Sequence, residues 1–355
     1  MKIRLREKYK PYSHEEGISL LLPRSSWKAT VYPAKVLLKN LMTIGETEEL
    51  TLIPHLQGPL TQFTVMQDLE RKWIRVFGRG EGGFFSYRLF AASSEIVLFL
   101  ERSPKEGMTF SFEGETRRLQ RKEELILPTI APSFPLLSQE KIHLGCHKKQ
   151  DWTLVRRRLL LEEILPIWFQ LGKDIPSHPM LRQGTGELLS QCADFVNERN
   201  RVKIGPALVK LFKGGFEGIL APHLHDVHFQ GIEAPEEISS KASPLMLLGE
   251  GARLIRSLFI NVVDGEIALL PCLPTELHAG KIISAPLTVS LSCDFEWSKK
   301  LLRRLYLYSS IDQEITLKLQ SPIKSFRYRT TPRGKGIRID ASSPLQLKKG
   351  LNVLD

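Results

Sequence analysis

Side chains able to do chemistry crowd into one short stretch, Pro222-His-Leu-His-Asp-Val-His228. The imidazoles of His223, His225 and His228 with the carboxylate of Asp226 could hold a divalent ion, hydrogen-bond a sugar or phosphate, or move protons near neutral pH. A metal site usually draws on a second, distant group of ligands. None is evident, so no metal and no cofactor is expected. Glu233, Glu236, Glu237 and Glu250 follow closely. Glycoside hydrolysis needs two carboxylates flanking the scissile bond, one protonated and one ionised. Glu233 and Glu250 are the candidate pair, with Asp226 or His225 assisting by hydrogen bonding or proton transfer. Trp152, Trp168 and Phe169 could offer flat faces to a sugar ring, although at helical spacing such residues also serve as core.

The elements that must position these residues follow from periodicity. The histidine cluster lies between the Gly214-Gly215 stop and Gly231, which places it on a loop, where binding groups are commonly carried. Before it the period is 3.6. Asp151 can cap a helix that carries Val155, Leu159 and Trp168 and ends at Gly172, with Pro166 expected to kink or split it. Leu188, Cys192, Phe195 and Val196 mark a second helix, and Pro206 opens a third through Leu208, Leu211 and Phe212. Ser243-Pro244 opens a fourth, with Leu245, Leu248, Ala252, Ile255 and Phe259 as its buried stripe.

On both sides the period is 2. Short β-branched and aromatic runs fill residues 26–128, punctuated by Gly, Pro, Asn and Ser as in an antiparallel sandwich. Gly78-Arg-Gly-Glu-Gly-Gly83 matches a dinucleotide fingerprint in form, but a strand follows where that fingerprint needs a helix, so it reads as a hairpin turn. Pro128, Pro132 and Pro135 read as linker. After the Asp264-Gly265 turn, strands resume and run to the end. The expected fold is therefore multidomain α and β: an N-terminal antiparallel β-sandwich (1–127), a linker (128–150), a shortened α/α-type helical domain (151–262) and a C-terminal antiparallel β-sandwich (263–355).

The bulk properties narrow the functional classes. The chain has 355 residues and a formal charge of +11. Its basic residues form scattered knots such as Arg156-Arg157-Arg158 and Arg303-Arg304. None alternates with exposed aromatics as a strand-stacking platform would, so nucleic acid is not the expected partner. Cys146, Cys192, Cys272 and Cys293 are widely spaced with no C-x-x-C, and no disulfide framework or zinc knuckle is implied. The charged N-terminus and the lack of a long apolar run lead to the expectation of a cytoplasmic protein without a membrane span.

One stretch resembles a known family. The run Asp264-Gly-Glu-Ile-Ala-Leu-Leu-Pro-Cys-Leu-Pro274, then Gly280-Lys-Ile282 and Phe295-Glu-Trp297, is similar to the junction of helical barrel and C-terminal β-domain in family 95 glycoside hydrolases (α-L-fucosidases) and their (α/α)6 relatives. Leu345–Leu354 resembles their closing strand, and Glu250–Phe259 their last barrel helix. The similarity covers about residues 245–355. It implies a six-hairpin glycosidase frame, but the position of that family's catalytic Asp falls, without gaps, on Met246, and its general acid has no counterpart. Twelve barrel helices also need well over ~180 residues. The resemblance thus implies a shortened, degenerate relative that binds a glycan or sugar phosphate, or serves as a scaffold for a protein partner. The alternative is an active glycosidase using Glu233, Glu250 and Asp226, with His223, His225, His228, Trp152 and Trp168 binding the ligand. A basic nucleic-acid-binding protein is the third reading.

Overall fold

The structure is a computed structural model that describes residues 3–42, 48–129, 133–232, 238–331 and 334–355. It is a mixed fold of mostly antiparallel sheets with, among the described residues, five helices between residues 152 and 257.

The first part holds β1 (Tyr12–Ser13), β2 (Ile18–Leu21), β3 (Trp27–Tyr32), β4 (Lys35–Asn40), β5 (Glu49–His55) and β6 (Thr61–Asp68). It continues with β7 (Trp73–Gly80), β8 (Gly83–Ala91), β9 (Glu95–Arg102), β10 (Met108–Phe112), β11 (Glu115–Leu119) and β12 (Glu124–Pro128). They form two six-stranded sheets, ordered β1-β6-β7-β8-β9-β12 and β11-β10-β5-β4-β3-β2. Alternation makes the faces: on β5 every second residue, including Leu50 and Leu52, is buried while Glu49, Thr51 and Ile53 face water. Tyr87 of β8, in the first sheet, packs edge to face on Phe110 of β10, in the second, ring centroids 5.8 Å apart. The glycine-rich stretch is the β7–β8 hairpin, pairing Gly80 with Gly83.

The span expected as linker carries β13 (Lys141–His143), an edge strand of a seven-stranded sheet. Helix α1 (Trp152–Arg158) starts at Asp151, whose side chain accepts the Leu154 N–H. The expected split at Pro166 lies instead at Leu159, whose φ of 54° ends α1. Pro166 is accommodated inside α2 (Leu161–Gly172). Helix α3 (Gly186–Asn197) leads to α4 (Arg201–Gly215), which begins before Pro206 because Asn200 caps it, accepting the Lys203 N–H. The short pair β14 (Phe216–Glu217) and β15 (Ala221–Pro222) precedes the histidine loop, and α5 (Leu245–Ser257) follows it. Helix α2 packs on α5 and α3 on α4. The first pair approaches closely because Gly172 and Gly251 lack side chains: a Cβ at Gly251 would sit 2.5 Å from the Trp168 ring.

The remaining strands are β16 (Ile260–Val263), β17 (Glu266–Leu269), β18 (Gly280–Thr288), β19 (Leu291–Ser298) and β20 (Leu301–Ser309). After them come β21 (Gln313–Lys318), β22 (Ser325–Arg329), β23 (Ile337–Asp340), β24 (Leu345–Leu347) and β25 (Gly350–Leu354). The seven-stranded sheet has the order β13-β18-β19-β20-β25-β22-β23, beside a four-stranded sheet β16-β17-β21-β24. One continuous cluster of buried side chains runs from Tyr9 to Leu354 through all three regions. Among the described residues no helix is long and apolar enough to cross a membrane.

Candidate functional site

Among the described residues, no three of the sequence-derived candidates His223, His225, Asp226, His228 and Glu250 bring their ligand-type atoms within 4.8 Å of one another. Glu233, with Glu236 and Glu237, lies outside the described residues. Glu250 sits on α5, and its Oε1 accepts from the Ser177 hydroxyl at 2.9 Å, the His178 backbone N–H at 3.2 Å and Arg253 at 2.9 Å. Through Oε1 that carboxylate fastens residues 177–178 to α5. Asp226 shapes its own loop by accepting the Ile232 N–H at 3.2 Å. His225 and His228 point to solvent, and His223 is half-buried. Burial pushes the His223 imidazole down to about 4, against the pull of Glu217 and the His225 backbone. Trp168 is 0% exposed and donates its indole N–H to Leu247 O at 3.1 Å, and Trp152 is 1% exposed. Neither can present a face to a sugar, because each packs edge to face on a buried phenylalanine, Trp168 on Phe216 and Trp152 on Phe212. Met246, where the family base would fall, is fully buried.

A different group does converge. Among the described residues Glu7, His143 and His147 are the one group of three whose ligand-type atoms all lie within 4.8 Å of one another. Glu7 Oε1 is 3.2 Å from His147 Nδ1 and 3.6 Å from His143 Nε2. The imidazole centroids are 5.0 Å apart. These three residues line two adjoining cavities, of about 180 Å³ and about 320 Å³. The smaller also touches Lys8, Cys146, Lys148 and Glu162. The larger touches Lys281, Glu296, Trp297 and Arg303.

The local sequence explains the convergence. The extended segment before β1 is laced onto residues 142–151. Gln150 accepts the Lys10 N–H at 2.6 Å and donates to Lys8 O at 3.0 Å, its backbone carbonyl accepts the Tyr12 N–H at 3.0 Å, and Tyr9 donates its hydroxyl to Ile142 O. Glu7 is thereby held beside the end of β13. His143 is the last residue of that strand, and Gly145, at φ 82°, turns the chain so that Cys146 and His147 follow on the same side.

The hydrogen bonds assign the protons. His143 Nδ1 accepts the Gly145 N–H at 3.2 Å, so the ring carries its hydrogen on Nε2, which faces Cys146 O at 3.1 Å. Burial holds His143 below its ordinary pKa, with Glu7 and the Cys146 carbonyl opposing and His147 and Lys281 assisting. Burial works against ionisation of Glu7, but its own backbone, His143, the Arg6 N–H and His147 outweigh it, and the carboxyl lies below the usual value. Glu7 is therefore an anion between two imidazoles. Glu7 Oε1 lies 3.2 Å from His147 Nδ1 and the His147 side chain is 71% exposed, so with a hydrogen on Nδ1 that ring offers Nε2 as an acceptor. A partly exposed carboxylate beside an exposed imidazole is an arrangement suited to a general base or a hydrogen-bonding anchor.

No protein-family model matches the chain, and no curated protein is significantly similar to it. The site rests on its geometry.

Proposed function

We propose that the chain binds a small hydroxyl-rich anion, of the sugar phosphate class, in the cleft around His147, and that His147 Nε2 takes a hydrogen bond or proton from it. The observation that carries this reading is the placement of anionic Glu7 between His143 and His147 on the wall shared by two cavities. Lys8 and Lys148 on one side, and Lys281 and Arg303 on the other, supply the positive charge that a phosphate requires. The sugar class draws its support from the resemblance of residues 264–297 to family 95 glycoside hydrolases. In that frame the two six-stranded sheets are a β-sandwich, residues 151–262 a shortened α/α layer and residues 263–355 a second sandwich. Burial of Met246, at the position of that family's base, and the bonds that tie Glu250 Oε1 to residues 177–178 favour binding over hydrolysis.

A transition-metal site is the second reading, favoured by the 3.2 Å and 3.6 Å contacts of Glu7. They approximate the separation of about 3.3 Å between ligand atoms in a tetrahedral zinc site. That reading requires a lone pair on His143 Nε2, against the Gly145 N–H that occupies Nδ1; ligating histidines normally donate from their other nitrogen.

Long-range ¹⁵N–¹H spectra of the histidine side chains test both. Hexose phosphates should shift the His147 Nε2 resonance saturably, and Glu7→Gln should abolish the effect. No response to hexose phosphates or acidic oligosaccharides would overturn the proposal. Perturbation of both imidazoles at one equivalent of Zn²⁺ would replace it with the metal reading.

A further inference from the structure

The outer face of the first sheet lies apart from the cleft. On β7, alternation puts Ile74 and Val76 in the core and Trp73, Arg75, Phe77 and Arg79 on the solvent side. Arg79 is paired in register with Phe84 of β8, Arg75 with Arg88, and Arg88 in turn with Phe99 of β9. The guanidinium groups stack on the rings: Arg88 lies 4.1 Å over Trp73 and 5.6 Å over Phe99, Arg75 lies 5.3 Å over Phe77, Arg102 lies 5.7 Å over Phe84, and Arg71 flanks Trp73 at 5.3 Å. The basic knots of the sequence show no such interleaving, but this strand face does.

Charge on the face is unevenly compensated. Arg75 and Arg88 stand directly opposite each other, a repulsive pairing, and share one carboxylate, Glu101. Arg71, Arg79 and Arg102 have no carboxylate within ion-pair distance among the described residues. Glu95 and Glu124 bound the patch at its β9–β12 edge. Among the described residues no helix packs extensively on the strands of this sheet from β6 to β9.

We propose that this face binds single-stranded nucleic acid. Bases stack on aromatic rings and on guanidinium planes alike, and phosphates pair with arginines left without a carboxylate. Side chains on alternate strand positions repeat at about 6.7 Å, so β7 offers ring, cation, ring, cation along one line. A neutral sugar would have to displace the guanidinium groups from Trp73, Phe77 and Phe84, whereas a nucleic acid uses them where they lie. The formal charge of +11 on the chain adds long-range attraction for a polyanion.

The test is fluorescence anisotropy of the full chain with labelled oligothymidylate and oligouridylate of about 15 nucleotides, across a salt series. Three uncompensated arginines give an expected slope of log affinity against log salt of about −2. Arg79→Ala and Arg102→Ala should each flatten it by about 0.7. Phe84→Ala should weaken binding about fivefold or more and leave the slope unchanged. All three side chains are partly or fully exposed, so the fold should survive, which an unchanged melting temperature verifies. Failure to retain either oligonucleotide at low salt would overturn the proposal. So would binding that none of the three variants alters, or tighter binding of a neutral oligosaccharide at the same face.

Discussion

The half-buried imidazole of His223 makes stability depend on pH in a calculable way. Burial lowers its pKa from 6.5 to about 4. Above pH 6.5 the ring is neutral in both folded and unfolded chains and contributes no pH dependence. Below it, the unfolded chain binds a proton that the folded chain refuses, so folded stability falls with falling pH, by about 1.4 kcal/mol per unit. The loss levels off once the pH passes the folded value near 4. Its full extent is about 3 kcal/mol, of which about 2 kcal/mol is reached at pH 5. His223→Gln keeps a neutral polar side chain at every pH and removes this component alone. Urea unfolding of both proteins at pH 7.5, 6 and 5 should therefore show the wild-type advantage shrinking by about 2 kcal/mol between the first and last. Carboxylates titrating in both proteins cancel in the difference. An advantage that stays constant from pH 7.5 to pH 5 would refute the reasoning, since it would mean that His223 takes its proton as readily in the folded chain.

Other perturbations have similarly specific outcomes. Burial raises the thiol pKa of Cys192 to about 12 and pushes Cys272 and Cys293 upward too, while Cys146 is partly exposed beside the cleft; a thiol reagent should label one cysteine in the native protein and four in denaturant, counted by mass spectrometry. Gly251→Ala drives a methyl to 2.5 Å from a Trp168 ring already fixed by its bond to Leu247 O, and should cost about 1–3 kcal/mol in chemical denaturation. Glu250→Ala should lose about 1–3 kcal/mol, because Ser177, the His178 N–H and Arg253 lose their acceptor, yet leave any ligand titration of His147 unchanged. Gln150→Ala should loosen the segment that carries Glu7 and weaken hexose phosphate binding severalfold without touching the cleft's charged groups, as isothermal titration would show.

Much of the element plan could be read because its causes are local. Asp151 caps α1 since a side-chain oxygen suits the first free N–H groups, and the Asp264-Gly265 turn forms since Gly265 accepts φ 80°. Pro166 shows where local reasoning stops: proline disfavours a helix interior, but α2 keeps it, and the break falls at Leu159, where no residue type announces it. The strand β13 was hidden for a related reason, since only pairing with β18 makes Lys141–His143 a strand. The cleft is the extreme case. Glu7 sits in a segment that reads only as charged, and His143 and His147 flank a glycine turn more than a hundred residues later. Their meeting depends on Tyr9 reaching Ile142 and on Gln150 reaching Lys8 and Lys10, contacts at sequence separations of 133, 142 and 140. The residues of the histidine-rich loop are adjacent in sequence, yet its turns send His225 and His228 to solvent and leave His223 half-buried. A few hydrogen bonds from one glutamine and one tyrosine hold the dispersed set together. A constellation joined only by backbone lacing should therefore be sought where a short polar segment is pinned by long-range side-chain bonds to the backbone, and less where reactive residue types merely cluster in sequence.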